Sequence, residues 1–354
     1  MTARKTESYL IITIGPAGSG KSTVITDVIR MLGEQQGYEL PAFSHSFKKA
    51  IIDNYVERDT TFIQQSISAT RTIIENADVG QYIPKLVSMQ ACLDHVINNP
   101  DPKAMSDLEE CAKVYSKIYM QARIQLDAVM DADVELWFST GQNVVYETIG
   151  INDFSWIFQL QSFQDAHIRF NYKVYLVYPY ANRSIILARA LNRFAVSVNN
   201  YTAFVDENTN PAANDCEQRY EAMVKYCRYL ESSDAISAPR LPSMTGNTAC
   251  ICDTVNQVQD NISRYVSPCV NGSCAVGDLK CSNWLTALVF YDNNGSCGSM
   301  DMIHFSCGHS RHDDDRCDED RCVSVRAFMT KYQQHLTQDF VRILTNIQSI
   351  ECGD

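Results

Sequence analysis

Gly15-Pro16-Ala17-Gly18-Ser19-Gly20-Lys21-Ser22-Thr23 is the stretch of this chain whose residue types and spacing speak most directly of chemistry. It fits the pattern G-x-x-x-x-G-K-[ST]. Glycines let the backbone curl until successive N–H groups face phosphate oxygens, and a helix starting at the lysine adds its partial positive charge. In that arrangement Lys21 reaches the β- and γ-phosphates and the Ser22 hydroxyl joins a magnesium shell. A glycine-rich turn with an adventitious lysine has no need of a strand before it and a helix after it. Both flank this segment, so ATP or GTP with Mg2+ is the expected ligand.

Three further groups could act on a bound triphosphate. Glu147 ends the apolar run Val144-Val145-Tyr146, where an acid holds magnesium directly or through water; the alternative is an acid facing solvent. Asp53 ends Ala50-Ile51-Ile52, where a carboxylate can align an acceptor hydroxyl and take its proton. Capping the segment Asn54-Tyr55-Val56-Glu57 is its competing role, and His45 is the rival base. Arg189 and Arg193 share one face of a predicted helix, as lid arginines that neutralise transferred charge or as a solvated pair.

The elements that must position these groups follow from periodicity. Tyr9–Ile14 reads as a buried strand and Lys21–Leu32 as a helix with Val24, Val28 and Leu32 on one face, ended by Gly33 and Gly37. Ala50–Ile52, Asn143–Tyr146, Tyr172–Tyr178 and Thr286–Tyr291 read as strands, Tyr172–Tyr178 stopping at Pro179. Residues 60–138 read mostly as helix, broken near Asn98–Pro102, with Val114, Ile118, Ile124 and Val129 facing the core. Helices are expected over 182–194, over 216–230 and at the C-terminus, where Phe328, Tyr332, Leu336, Phe340 and Leu344 share a face. Strands alternating with helices imply a doubly wound, mainly parallel α/β sheet. In such a sheet ligands sit beyond the carboxyl ends of the strands. That edge gathers the P-loop, Asp53, Glu147 and Pro179.

Composition narrows the partners. With 354 residues, 45% hydrophobic, the chain has ample core, and a net charge of -12 argues against a general nucleic-acid binder. Residues 10–14 are too short an apolar run for a signal peptide or a bilayer span, and no later run approaches that length, so a soluble, cytoplasmic protein is expected. Of fourteen cysteines, Cys92, Cys111, Cys216 and Cys227 read as inert thiols, and the other ten lie between Cys250 and Cys352. Without a secretory signal, free thiols or metal ligands are expected before disulfides. His304, Cys307, His309, His312, Cys317 and Cys322 have no tight knuckle spacing, so a solvated loop is preferred to a structural zinc site.

The order of these motifs resembles that of zeta-toxin-type P-loop kinases. The resemblance runs through residues 15–23, Ile51-Ile52-Asp53-Asn54, Asn143 to Gly150, Val174-Tyr175-Leu176-Val177 with Arg189 and Arg193, and Val289-Phe290-Tyr291-Asp292-Asn293. The layout is also similar to zeta-like kinases of large DNA viruses, which would act in a host cytoplasm. The resemblance implies a P-loop kinase fold and transfer of the γ-phosphoryl group from ATP or GTP to a hydroxyl of a nucleotide-sugar such as UDP-N-acetylglucosamine. It implies Lys21 and Ser22 on phosphate and magnesium, Asp53 near the base position, Glu147 as the strand-end acid and Arg193 in a lid. The chain departs from the family at Thr148-Ile149-Gly150, at Tyr55 where a base aspartate often sits, and near Thr209-Asn210-Pro211, where a second lid arginine is absent.

The expected organisation is a kinase domain over 1–305, with a helical insertion at about 60–136 and a Cys-containing one at 236–283. Residues 306–354 would add an acidic Cys/His loop and a helix packed on the core. Two other functions stay open. One is a polynucleotide or nucleoside kinase, and the other a nucleotide-binding scaffold or inactive kinase.

Overall fold

The computed structural model describes residues 7–16, 18–75, 95, 102–150, 156–181, 186, 256–264, 285–293, 299–304, 329–330, 336–342 and 344–345. Its strands are β1 (Tyr9–Ile14), β2 (Phe47–Ala50), β3 (Asn143–Thr148), β4 (Lys173–Tyr180), β5 (Leu285–Asp292) and β6 (Ser299–His304). They form one sheet in the order β2-β3-β1-β4-β5-β6. The first five run parallel, and β6 turns back antiparallel on the β5 edge. The helices are α1 (Lys21–Gln36), α2 (Leu40–His45), α3 (Ile52–Val56), α4 (Thr60–Ile73), α5 (Pro102–Ser139), α6 (Trp156–Gln159) and α7 (Gln161–Phe170).

Alternation along β1 divides the core. Tyr9 and Ile11 join Val145, Val177 and Val289 against Val24, Val28 and Leu32 of α1. Leu10, Ile12 and Ile14 join Val144, Leu176 and Phe290 against Val134 and Phe138 of α5, Phe163 of α7, and Phe340 and Leu344 near the C-terminus. A parallel sheet covered on both faces needs apolar residues at every position, and β1 is buried throughout. The predicted C-terminal face is thus seen at Phe340, Leu344 and Leu336; Phe328 and Tyr332 lie outside the described residues.

Several expectations need correction. Gly33 does not end α1, which runs to Gln36 and stops at Gly37 with φ 69°. A Cβ on Gly33 would lie 2.6 Å from a Leu40 methyl, so this glycine admits the close approach of α2. The second strand is Phe47–Ala50, disguised in the sequence by Lys48 and Lys49. Asp53 therefore lies in the first turn of α3, not at a strand end. β4 runs through Pro179 to Tyr180; β1 pairing has ended at Val177, which relaxes the demand for an N–H there.

On α5 the predicted face is misplaced. Ile124 and Val129 are exposed, whereas Cys111, Tyr115, Met130, Val134 and Phe138 are buried. The helix changes partners along its length, meeting α4 first and the sheet later, so no single stripe serves it. Cys111 is disulfide-bonded rather than a free thiol. Residues 256–264, expected only as part of the Cys-containing insertion, are helical. Val258 and Ile262 enter the core there, and buried Gln259 donates to the Tyr178 hydroxyl (3.0 Å) and accepts from the Thr337 N–H (2.8 Å). The predicted helix 216–230 and the cysteines and histidines of 307–322 lie outside the described residues; His304 closes β6.

Gly150, just past β3, has φ 80°, and a Cβ on it would lie 2.1 Å from the Ile14 Cγ2. Gly150→Ala should destabilise the fold by about 2–4 kcal/mol, combining left-handed strain with a core clash. Urea unfolding checks this, and a loss under about 0.5 kcal/mol would contradict the packing described.

Candidate nucleotide-binding site

β1 lies between β3 and β4, so the crossovers leave it in opposite directions. Such a switch point opens a crevice beyond the carboxyl ends of the strands. The chain leaves β1 directly into Gly15, whose N–H donates to the Thr148 carbonyl of β3 (3.3 Å). The turn closes with the Ser19 N–H on the Pro16 carbonyl (3.2 Å) and left-handed glycines at Gly18 (φ 84°) and Gly20 (φ 89°). Thr23 and Val24 then donate to the Gly20 carbonyl and start α1. Ala17 lies outside the described residues.

Glycine is required at position 15 by space: a Cβ there would stand 2.6 Å from the Ser19 Oγ and 3.3 Å from the Pro179 ring. Pro179 thus reaches the predicted edge as a wall of the loop. The Ser19 and Thr13 hydroxyl oxygens are buried and have no hydrogen-bond partner among the described residues.

Lys21, Ser22 and Glu147 come together. The Lys21 ammonium donates to the carbonyls of Gly15 (2.8 Å) and Pro16 (3.2 Å) and lies 3.8 Å from Glu147 Oε1. Both side chains of that ion pair are largely buried. The Ser22 hydroxyl donates to Glu147 Oε2 (3.4 Å). Residues of β3 alternate faces, so Val145 and Glu147 share the α1 side while Tyr146 packs on the α5 side. A hydroxyl beside a carboxylate at a sheet's carboxyl edge is an oxygen donor set suited to Mg2+, which keeps most of its shell for water and phosphate. No group of three or more His, Cys, Asp or Glu able to hold a metal occurs among the described residues.

Asp53 is one strand over, beyond β2, whose Ala50 pairs with Tyr146. The Tyr119 hydroxyl of α5 donates to its Oδ1. Burial, then the Asp53 carboxylate, holds the Tyr119 hydroxyl well above the ordinary tyrosine range. Tyr119 rests against Tyr115 and edge-on to Phe62 of α4. Tyr55, at the position where the resemblance expects a base, donates instead to Asp133 of α5 (2.8 Å). Two hydroxyl–carboxylate contacts therefore stitch α3 to α5. Nearby, burial first and then Asp131 and Asp127 push the Tyr146 hydroxyl up to about 12.

His45 lies at the amino end of β2, on the opposite edge of the sheet, and drops out as a rival base. Arg189 and Arg193 lie outside the described residues; Ile186, in the segment that carries them, is helical and buried. Sequence reading missed Tyr119, which has no spacing relation to Asp53. It also gave Asn293 no role of its own, quoting it only at the end of the resemblance motif Val289-Phe290-Tyr291-Asp292-Asn293.

Five parallel strands in this order, with the glycine loop between β1 and α1, settle the fold class. It is a P-loop kinase-type α/β fold. No family model matches the chain, and no curated protein matches it. Among solved structures it is similar to that described as the PezAT chromosomal toxin-antitoxin system of the human pathogen Streptococcus pneumoniae. There 10% of residues are identical, 99% of this chain and 90% of that chain are covered, and the TM-score is 0.36. The fold assignment rests on the strand order and the loop, not on that likeness. No helix among the described residues is long and apolar enough to cross a membrane.

Tyr119→Phe and Asp53→Ala should each cost about 1 kcal/mol of stability, with the double variant less than additive by about 0.5–1 kcal/mol. Denaturant unfolding of the three variants measures the coupling, and strict additivity would mean that the hydroxyl and carboxylate do not interact.

Proposed function

We propose that this protein is a phosphotransferase that moves the γ-phosphoryl group of ATP or GTP to a hydroxyl of a small acceptor. The observation that carries the reading is the convergence of Lys21, Ser22 and Glu147 on one glycine-rich loop at the carboxyl edge of the sheet. Loop amides and the start of α1 would hold the polyphosphate. Lys21 would leave the Gly15 and Pro16 carbonyls for phosphate oxygens, exchanging neutral acceptors for charged ones. Ser22 and Glu147 would hold Mg2+, which neutralises charge on the β- and γ-phosphates when bound.

Asp53 would orient the acceptor hydroxyl and receive its proton through the carboxylate oxygen that Tyr119 leaves open. The acceptor oxygen bonds to the γ-phosphorus as the bond to the bridging oxygen breaks, and the nucleoside diphosphate departs. Arg189 or Arg193 would offset charge on the transferred group. In keeping with the family resemblance, the acceptor proposed is a nucleotide-sugar such as UDP-N-acetylglucosamine, bound in the cytoplasm of a cell.

The reading is tested by incubating the chain with γ-labelled ATP or GTP and separate UDP-sugars, nucleosides and 5′-hydroxyl oligonucleotides. Label should move to a UDP-sugar; transfer to an oligonucleotide would favour a polynucleotide kinase, and binding without transfer a scaffold. Lys21→Ala should abolish transfer, and Asp53→Asn should lower it at least about 100-fold. A near-wild-type rate in Asp53→Asn would remove that carboxylate from the base role.

A further inference from the structure

Asn293 follows β5 at the carboxyl edge and reaches across to the glycine loop. Its backbone N–H donates to the Tyr180 carbonyl at the end of β4 (2.8 Å). Its side-chain Nδ2 donates to the Ser19 carbonyl (2.7 Å), a contact between residues 274 positions apart in the chain. A carbonyl oxygen only accepts, so the amide nitrogen must face it. The bond joins the end of the sheet to the middle of the loop.

Its consequence follows from peptide geometry. In a trans peptide the C=O of one residue and the N–H of the next point in opposite directions. Fixing the Ser19 carbonyl toward Asn293 therefore turns the Gly20 N–H away from it. Gly20 needs such help. Lacking a Cβ, and lying at φ 89° two residues after Gly18 at φ 84°, it has more than one way to set that peptide plane.

We infer that Asn293 is a positioning residue: it locks the Ser19–Gly20 peptide so that the Gly20 N–H is presented to bound phosphate before any ligand arrives. This rests on the nucleotide reading above and adds a residue to it. Preorganised donors avoid the cost of ordering on binding, so the lock acts on affinity for phosphate rather than on the nucleoside.

A purely structural role for Asn293 makes a different forecast. Its backbone N–H ties the turn to β4, and aspartate would keep that N–H together with the size and polarity of the side chain. Under the lock, aspartate is the worse substitution, because it places a carboxylate oxygen against a carbonyl oxygen and supplies no donor.

The test is calorimetric titration of the full chain, Asn293→Asp and Asn293→Ala with magnesium and, in turn, ATP, ADP and inorganic tripolyphosphate. Asn293→Asp should weaken all three by about tenfold or more, and Asn293→Ala by less, with melting temperatures close to wild type. Should Asn293→Asp not fold, Asn293→Ala carries the test, with a severalfold loss for tripolyphosphate expected. Affinities within about twofold of wild type in the folded variants, a milder effect of aspartate than of alanine, or a loss for ATP that tripolyphosphate does not share would overturn the lock. If wild type itself binds none of the three, the nucleotide reading falls, and the lock with it.

Discussion

The buried ammonium of Lys21 organises the carboxyl edge of this sheet. It is held by two carbonyls of its own loop and by Glu147 from the neighbouring strand. A cation nearly removed from water is tolerated only where its donors and its charge are answered. Here the answer requires that the loop curl back on its lysine, that β3 lie beside β1 in register, and that Glu147 fall on the α1 side of the alternation. Each demand is met by a separate part of the sequence. Glycines 15, 18 and 20 allow the curl, the apolar run of β3 gives the pairing, and Val145 against α1 fixes the face.

The same edge is braced from both flanks. On one side Asn293 and Pro179 bear on the loop from the ends of β5 and β4. On the other, α5 grips α3 through Tyr119 on Asp53 and Asp133 on Tyr55. The long helix 102–139 is therefore more than an elaboration on the core. It supplies the hydroxyl that donates to one carboxylate oxygen of Asp53. Helix 256–264 has a comparable place through Gln259, which links the sheet at Tyr178 to the C-terminal segment at Thr337.

Much of this was legible in the residues. β1 matched residue for residue, because a continuous apolar run ahead of a glycine loop has few other uses. The place of the glycine loop between β1 and α1, and that of Glu147 beside it, followed from residue type and spacing. β2 was shifted because exposed Lys48 and Lys49 broke its apolar signal, and that shift put Asp53 on a strand rather than in the first turn of α3. The face of α5 was misjudged because its partners change along its length. Tyr119 was missed, and Asn293 was given no role of its own, for a different reason: both make contacts distant in sequence, and neither residue type marks a site by itself.

The central claim is that the loop grips a polyphosphate together with a divalent cation. Calorimetric titration of the intact wild-type chain with ATP and with GTP, in millimolar magnesium and again with the metal chelated, tests it most directly. One triphosphate should bind per chain with saturable heat, and more weakly once the magnesium is removed, because Ser22 and Glu147 would then meet phosphate without the intervening charge. Absence of heat for every triphosphate in magnesium would contradict the account at its root.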